Sequence, residues 1–131
     1  MDLVDLRRWE LALARGGEGL ARRYFTPGER HAAQHLAGAD RTFVEVLGHL
    51  FGVKESVVKA AGGLPATGRL ADIHVGIPLE GDAEEPWHVR LGGPLGDWAR
   101  AERLDVVGAS TRLESGMALA WTAAQAAGPR S

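Results

Sequence analysis

The chain has 131 residues, 45% of them hydrophobic, and a formal net charge of −2 with neutral histidines. This is enough apolar material for one core and too little chain for two, so residues 1–131 are expected to form a single domain. The near-neutral charge gives no global reason to expect nucleic acid or a membrane surface as partner. Cysteine is absent, which excludes disulfides, zinc-thiolate sites and thiol nucleophiles. No apolar run approaches the roughly 20 residues of a membrane span, and the amino end lacks a basic-then-apolar signal, so a cytoplasmic protein is the default.

Met1 to Leu6 alternates polar with apolar residues and reads as the end of a strand, after which Leu6, Trp9 and Leu13 take up helical spacing. Asp5 stands where its carboxylate can cap that helix, whereas Asp2 has no such local task. Asp2 also directly follows Met1, where a side chain is expected to be poorly held. Arg7, Arg8 and Arg15 lie on the first helix, and Gly16-Gly17-Glu18-Gly19 should break or kink it. Thr26-Pro27-Gly28-Glu29 combines a cap, a proline at the first helical position and a glutamate at the third, predicting a helix from Pro27 to about Ala37. His31 and His35 share a face of it, but without a third ligand they make a poor zinc site.

The longest confident helix runs from Phe43 to Ala61, with Phe43, Val46, Leu47, Leu50, Val57 and Ala61 at helical spacing and Gly62-Gly63 as a stop. Gly48, Phe51, Gly52, Glu55 and Lys59 form a neighbouring stripe. Each interior glycine costs roughly 1 kcal/mol relative to alanine, which suggests close approach of a backbone or a ligand. The stripe leads to Glu55, flanked by Lys54 and followed one turn later by Lys59. A carboxylate there could hold a hard cation and an ammonium could meet phosphate oxygens, although an i,i+4 Glu/Lys pair is also an ordinary surface feature.

After a loop from Leu64 to Leu70, Ile73, Val75, Ile77 and Leu79 alternate as a strand, Gly81 to Pro86 is an acidic turn, and Trp87, Val89 and Leu91 form a second strand, together a hairpin. Gly92-Gly93-Pro94 opens a short helix through Arg103. Leu104 to Ala109 reads as a third strand, Ser110 to Gly116 as a turn, and Met117, Leu119 and Trp121 mark a fourth strand before an alanine-rich tail. Helices early and antiparallel strands late argue for an α+β fold, helices packed on a mainly antiparallel sheet.

Three separated stretches resemble the small holo-acyl-carrier-protein synthases, one group of 4′-phosphopantetheinyl transferases. Asp2-Leu3-Val4-Asp5-Leu6-Arg7-Arg8-Trp9 is similar to the family's opening stretch. Tyr24-Phe25-Thr26-Pro27-Gly28-Glu29-Arg30 is similar to its Leu-Phe-Thr-x-x-Glu segment. Phe51-Gly52-Val53-Lys54-Glu55-Ser56-Val57-Val58-Lys59-Ala60 is similar to its Lys-Glu-x-x-x-Lys signature. Weaker matches continue through Asp72-Ile73-His74-Val75 and Val107-Gly108-Ala109-Ser110.

The resemblance implies the fold of that family and Mg²⁺-dependent transfer of 4′-phosphopantetheine from coenzyme A to a serine of an acyl or peptidyl carrier protein, releasing 3′,5′-ADP. By matched position, Asp2 and Glu55 would hold Mg²⁺, a role that suits two carboxylates and a hard ion that keeps substrate phosphate in its shell. Asp2, Glu55 and Lys59 would carry catalysis, and Lys54, Lys59 and Ser110 would contact coenzyme A. A metal-bound water or Glu55 would take the serine proton, and the sequence leaves both open. Arg8, with Arg7 and Arg15 beside it, would receive the acidic helix of the carrier protein, and the active form would be a homotrimer with sites between neighbours.

Two positions depart from the family pattern. Leu50 stands where an arginine is common, and Thr111 stands where the family has a histidine after Ser110. His49 and Arg112, close by in sequence, could restore the missing positive charge. The departures also suit another possibility, a catalytically degenerate relative that binds a carrier protein without transferring the group.

Overall fold

A computed structural model describes residues 1–38, 42–66, 68–77, 87–114 and 116–126. In chain order the elements are β1 (Asp2–Asp5), α1 (Leu6–Tyr24), α2 (Pro27–Leu36), α3 (Phe43–Ala60), a 3₁₀ turn (Leu70–Asp72), β2 (Ile73–Gly76), β3 (His88–Leu91), α4 (Gly93–Ala101), β4 (Leu104–Glu114) and β5 (Met117–Ala126). The strands form two antiparallel sheets, β1-β5-β4 and β2-β3. A Trp87–Ala109 bridge links them through reciprocal backbone hydrogen bonds of 2.7 and 3.1 Å. This is the expected α+β architecture.

The helix expected to dominate does so. Val46, Leu47, Leu50, Val53 and Val57 are each at most 2% exposed, and they meet Val4, Ala118 and Ala120 of the three-stranded sheet and Ile73 and Val75 of the hairpin in one cluster. Both interior glycines are explained by the chain's own packing. A β-carbon on Gly48 would lie 2.6 Å from Leu6 Cδ2, and one on Gly52 would lie 3.2 Å from Val4 Cγ2 and 3.3 Å from Ala120 Cβ. Side chains of β1, β5 and α1 thus fill the glycine stripe, which brings β1 against the second half of α3. Trp9 closes the other end, stacked on Phe51 at 4.7 Å between ring centres, with its indole N–H donated to Val44 O at 3.0 Å.

Local signals come out as expected at the helix starts. Asp5 accepts from the Arg7 and Arg8 backbone N–H groups at 3.0 and 3.4 Å, and Thr26 and Glu29 complete a reciprocal capping box. The glycine run of α1 kinks it, with Gly17 at φ 58° and ψ −150°, yet the helix resumes and continues to Tyr24. The other large difference is at Ser110 to Gly116, expected as a turn. There β4 continues to Glu114, because Ser110 to Glu114 pair with Trp121 to Met117 of β5, and the reversal passes through Gly116 at φ 76°. Likewise β5 extends to Ala126 through the alanines that read as tail. The expected acidic turn 81–86 and Leu79 lie outside the described residues. Among those residues, no helix is long and apolar enough to cross a membrane.

Candidate active site

Strand alternation decides which side chains of β1 reach α3. Asp2 and Val4 point inward and are buried, while Leu3 and Asp5 are exposed. Asp2, expected to be loosely held, is 9% exposed and registers against Ala120 of β5. Opposite it, the last turn of α3 presents Lys59, whose Nζ lies 2.6 Å from Asp2 Oδ1. Glu55, one turn earlier on the same stripe, is half-buried. Burial raises its carboxyl above the ordinary glutamate range, the Asp2 charge adds to the rise, and Lys59 opposes it. Asp2, Glu55 and Lys59 therefore converge, two acids 53 positions apart in the sequence joined by the close packing that Gly52 permits.

Two mutually repelling carboxylates in a partly buried site are stabilised by positive charge between them, which is what a divalent cation supplies. Among the described residues no group of three or more His, Asp or Glu could hold a metal ion. A pair alone suits a hard ion that completes its octahedron with water and substrate phosphate, and suits poorly a fully protein-caged metal. If the chain takes such an ion, Asp2 and Glu55 are the side chains that would hold it.

Lys54 requires a correction. Expected to reach coenzyme A, its side chain is fully buried, and its ammonium donates to Glu29 Oε1 at 2.7 Å, Tyr24 O at 2.7 Å and Leu70 O at 3.1 Å. All three protons are committed, so nothing is left for a phosphate. Residues 54 and 55 are about 100° apart around the helix, which sends one into the core and the other to the site. Burial pulls the Lys54 ammonium below the ordinary lysine range, and the charge and hydrogen bond of Glu29 resist. Glu29 Oε1 also accepts from Thr26 N at 2.8 Å, and Oε2 from Val75 N at 2.9 Å. In the sequence Glu29 stands out as a helix cap and as part of the Leu-Phe-Thr-x-x-Glu-like segment; no local spacing pairs it with a lysine 25 positions on.

Ser110 is also placed apart. Asp2, Ala120 and Thr111 form one cross-strand row on the face toward α3, whereas Ser110 and its partner Trp121 lie on the opposite face. Within one copy of the chain Ser110 therefore does not join the Asp2 group. Thr111 hydrogen-bonds instead with His49, its Oγ1 2.7 Å from Nδ1. His49 is 4% exposed, so its imidazole serves the interior, and the Arg112 guanidinium lies 5.5 Å over the Trp121 ring on the outer face. Leu50, fully buried, is a core residue. Arg7, Arg8 and Arg15 are exposed on α1; Arg8, Leu11 and Arg15 share a face, and Leu11 is 53% exposed.

The deeply packed helix on an antiparallel sheet, with Asp2, Glu55 and Lys59 at the contact, is the frame on which the chain can be compared with known proteins. The chain belongs to the 4′-phosphopantetheinyl transferase superfamily, whose model matches residues 1–99. A curated holo-acyl-carrier-protein synthase of Rhodopseudomonas palustris (strain BisA53) is 38% identical over 61 residues, a match covering 47% of this chain and 44% of that relative's length. Among solved structures, the holo-acyl-carrier-protein synthase of Neisseria meningitidis superposes with a TM-score of 0.77 at 27% identity, covering 95% of this chain and 94% of that one. The Helicobacter pylori synthase, solved in complex with coenzyme A, superposes with a TM-score of 0.66 at 17% identity over 93% of this chain and 96% of that one; at that identity the likeness concerns the fold.

Proposed function

We propose that this chain is a Mg²⁺-dependent 4′-phosphopantetheinyl transferase of the holo-acyl-carrier-protein synthase type, acting in a cytoplasmic setting. It would move the 4′-phosphopantetheine of coenzyme A to a serine of an acyl or peptidyl carrier protein and release 3′,5′-ADP. The observation that carries the reading is the convergence of Asp2, Glu55 and Lys59 at the β1–α3 contact. Mg²⁺ held there by Asp2 and Glu55 would neutralise charge on the diphosphate and its leaving group. Lys59, on a 59% exposed side chain, can swing to a phosphate oxygen. With the ion bound, a metal-held water or Glu55 would take the proton of the attacking hydroxyl. Arg8 and Arg15, with Leu11 between them, offer a basic surface with an apolar centre to the acidic helix of a carrier protein.

The outer face of the three-stranded sheet supports assembly. Leu3 is 52% exposed there, beside partly exposed Leu119 and Trp121. We propose that neighbouring copies in a homotrimer cover this face, which would also let Ser110 and Arg112 of one copy approach the site of the next. Incubation of the protein with coenzyme A, Mg²⁺ and a panel of apo carrier proteins should add the mass of one phosphopantetheinyl group to a carrier; no addition across a broad panel overturns the transferase reading. Trp121→Glu should turn a trimer into a monomer in sedimentation, and a wild-type monomer would refute the assembly.

The second reading, a relative that docks carrier proteins without transfer, draws on Leu50 and Thr111, neither of which presents a charge to a ligand. Calorimetry separates the two. Mg²⁺-dependent binding of coenzyme A rules the second out, and carrier binding without coenzyme A binding favours it.

A further inference from the structure

The two partners of the Asp2–Lys59 contact differ in freedom. The Asp2 side chain is 11% exposed and fixed by strand pairing to Ala120, whereas the Lys59 side chain is 59% exposed. Its backbone is equally settled, because Gly62 N donates to Lys59 O at 3.1 Å and Gly63 N to Val58 O at 2.9 Å, closing the helix end. Only the flexible stem of Lys59 can move, so when the contact opens it is the ammonium that leaves. At 2.6 Å from Oδ1, that ammonium already satisfies the carboxylate which, with Glu55, would hold a divalent ion.

We infer that Lys59 is the resident counter-ion of Asp2, and that a divalent cation binds by displacing its ammonium, which is then handed to the diphosphate of the substrate. This rests on the Mg²⁺ reading above and goes beyond it. An ammonium shared between carboxylate and phosphate makes the two ligands help each other. The cation frees the lysine for the phosphate, and the phosphate keeps the lysine away from Asp2, so each ligand tightens the other by the same factor.

Calorimetric titration of the full chain with MgCl₂ alone, and again with saturating coenzyme A, tests this in the wild type and in Lys59→Met. With Mg²⁺ alone the variant should bind about three- to tenfold more tightly, since a competing partly exposed ion pair has been removed. Coenzyme A should tighten Mg²⁺ binding about tenfold or more in the wild type, and in the variant that factor should shrink to the share that direct contact between Mg²⁺ and the diphosphate supplies. A second readout needs no variant: the side-chain ¹⁵N signal of Lys59 should shift on addition of Mg²⁺ alone, with the midpoint of the calorimetric curve. Equal Mg²⁺ affinity in both proteins with an unmoved Lys59 signal overturns the inference and leaves the Mg²⁺ site standing. Failure of Mg²⁺ to bind either protein, with or without coenzyme A, overturns both.

Discussion

Lys54 and Lys59 sit five positions apart on α3, each within hydrogen-bonding distance of a carboxylate, and they do opposite things. Lys54 is sealed in the core with three acceptors; Lys59 reaches one acceptor from a side chain more than half in water. The contact lengths, 2.7 and 2.6 Å, are nearly the same, so distance does not distinguish a strut from a movable group. Burial does. A charge with no water must keep its partner, while a charge in water exchanges partners at little cost.

The contrast is broken most severely from the Lys54 side. Lys54→Met should lower stability by about 3–5 kcal/mol, because it leaves the Glu29 carboxylate buried without its cation. Denaturant unfolding measures it, and the Lys54→Met, Glu29→Gln double variant should lose less than the sum of the two single changes. Glu55→Gln should leave the midpoint of unfolding nearly unchanged while lowering the transfer rate by about 10²–10³, the usual scale for removing one charge-stabilising group from a site. Lys59→Met should weaken coenzyme A binding by about 1.5–3 kcal/mol in the presence of Mg²⁺, with little change in melting temperature. If Lys59→Met proved the more destabilising of the two lysine changes, the contrast would be wrong.

The smallest effect is a pH slope. The Glu55 carboxyl is raised in the folded chain, chiefly by burial and then by Asp2, so the folded state holds a proton more tightly than the unfolded state. Stability should therefore fall as pH rises from the ordinary glutamate range through the raised value, and be flat in this respect above it. Melting curves of wild type and Glu55→Gln across mildly acidic pH should diverge in that direction; a wild type that gains stability relative to the variant as pH rises would contradict the assignment.

What could be read from the sequence was local or periodic. The apolar repeat of α3, the Thr26–Glu29 capping box, the glycine kink in α1 and the alternation around Val75 and Val89 each depend on residues a few positions apart, and each was realised. The Asp2 and Glu55 pairing was reached through family resemblance, and the structure gives its physical cause in Gly52, which admits Val4 and Ala120 to the helix surface. Long-range partners were not legible. Nothing near Lys54 indicates that Glu29 and two carbonyls await it in the core. Likewise nothing within Ser110 to Glu114 shows that these residues continue a strand, because Ser110, Thr111 and Arg112 carry no apolar alternation and their strand is set by partners on β5. The side of the sheet on which Ser110 falls follows from that register alone.

Glu29 carries one further consequence. Its two oxygens serve the first turn of α2, the ammonium from α3 and the first half of the hairpin at Val75, so one carboxylate knots together segments spread over more than a third of the chain. The capping box at Thr26 is local, but the Lys54 ammonium and the Val75 amide each need this carboxylate in the core. Amide protons at Thr26 and Val75 should accordingly exchange with solvent only when the whole molecule opens, at matching rates, although they lie 49 positions apart along the polymer.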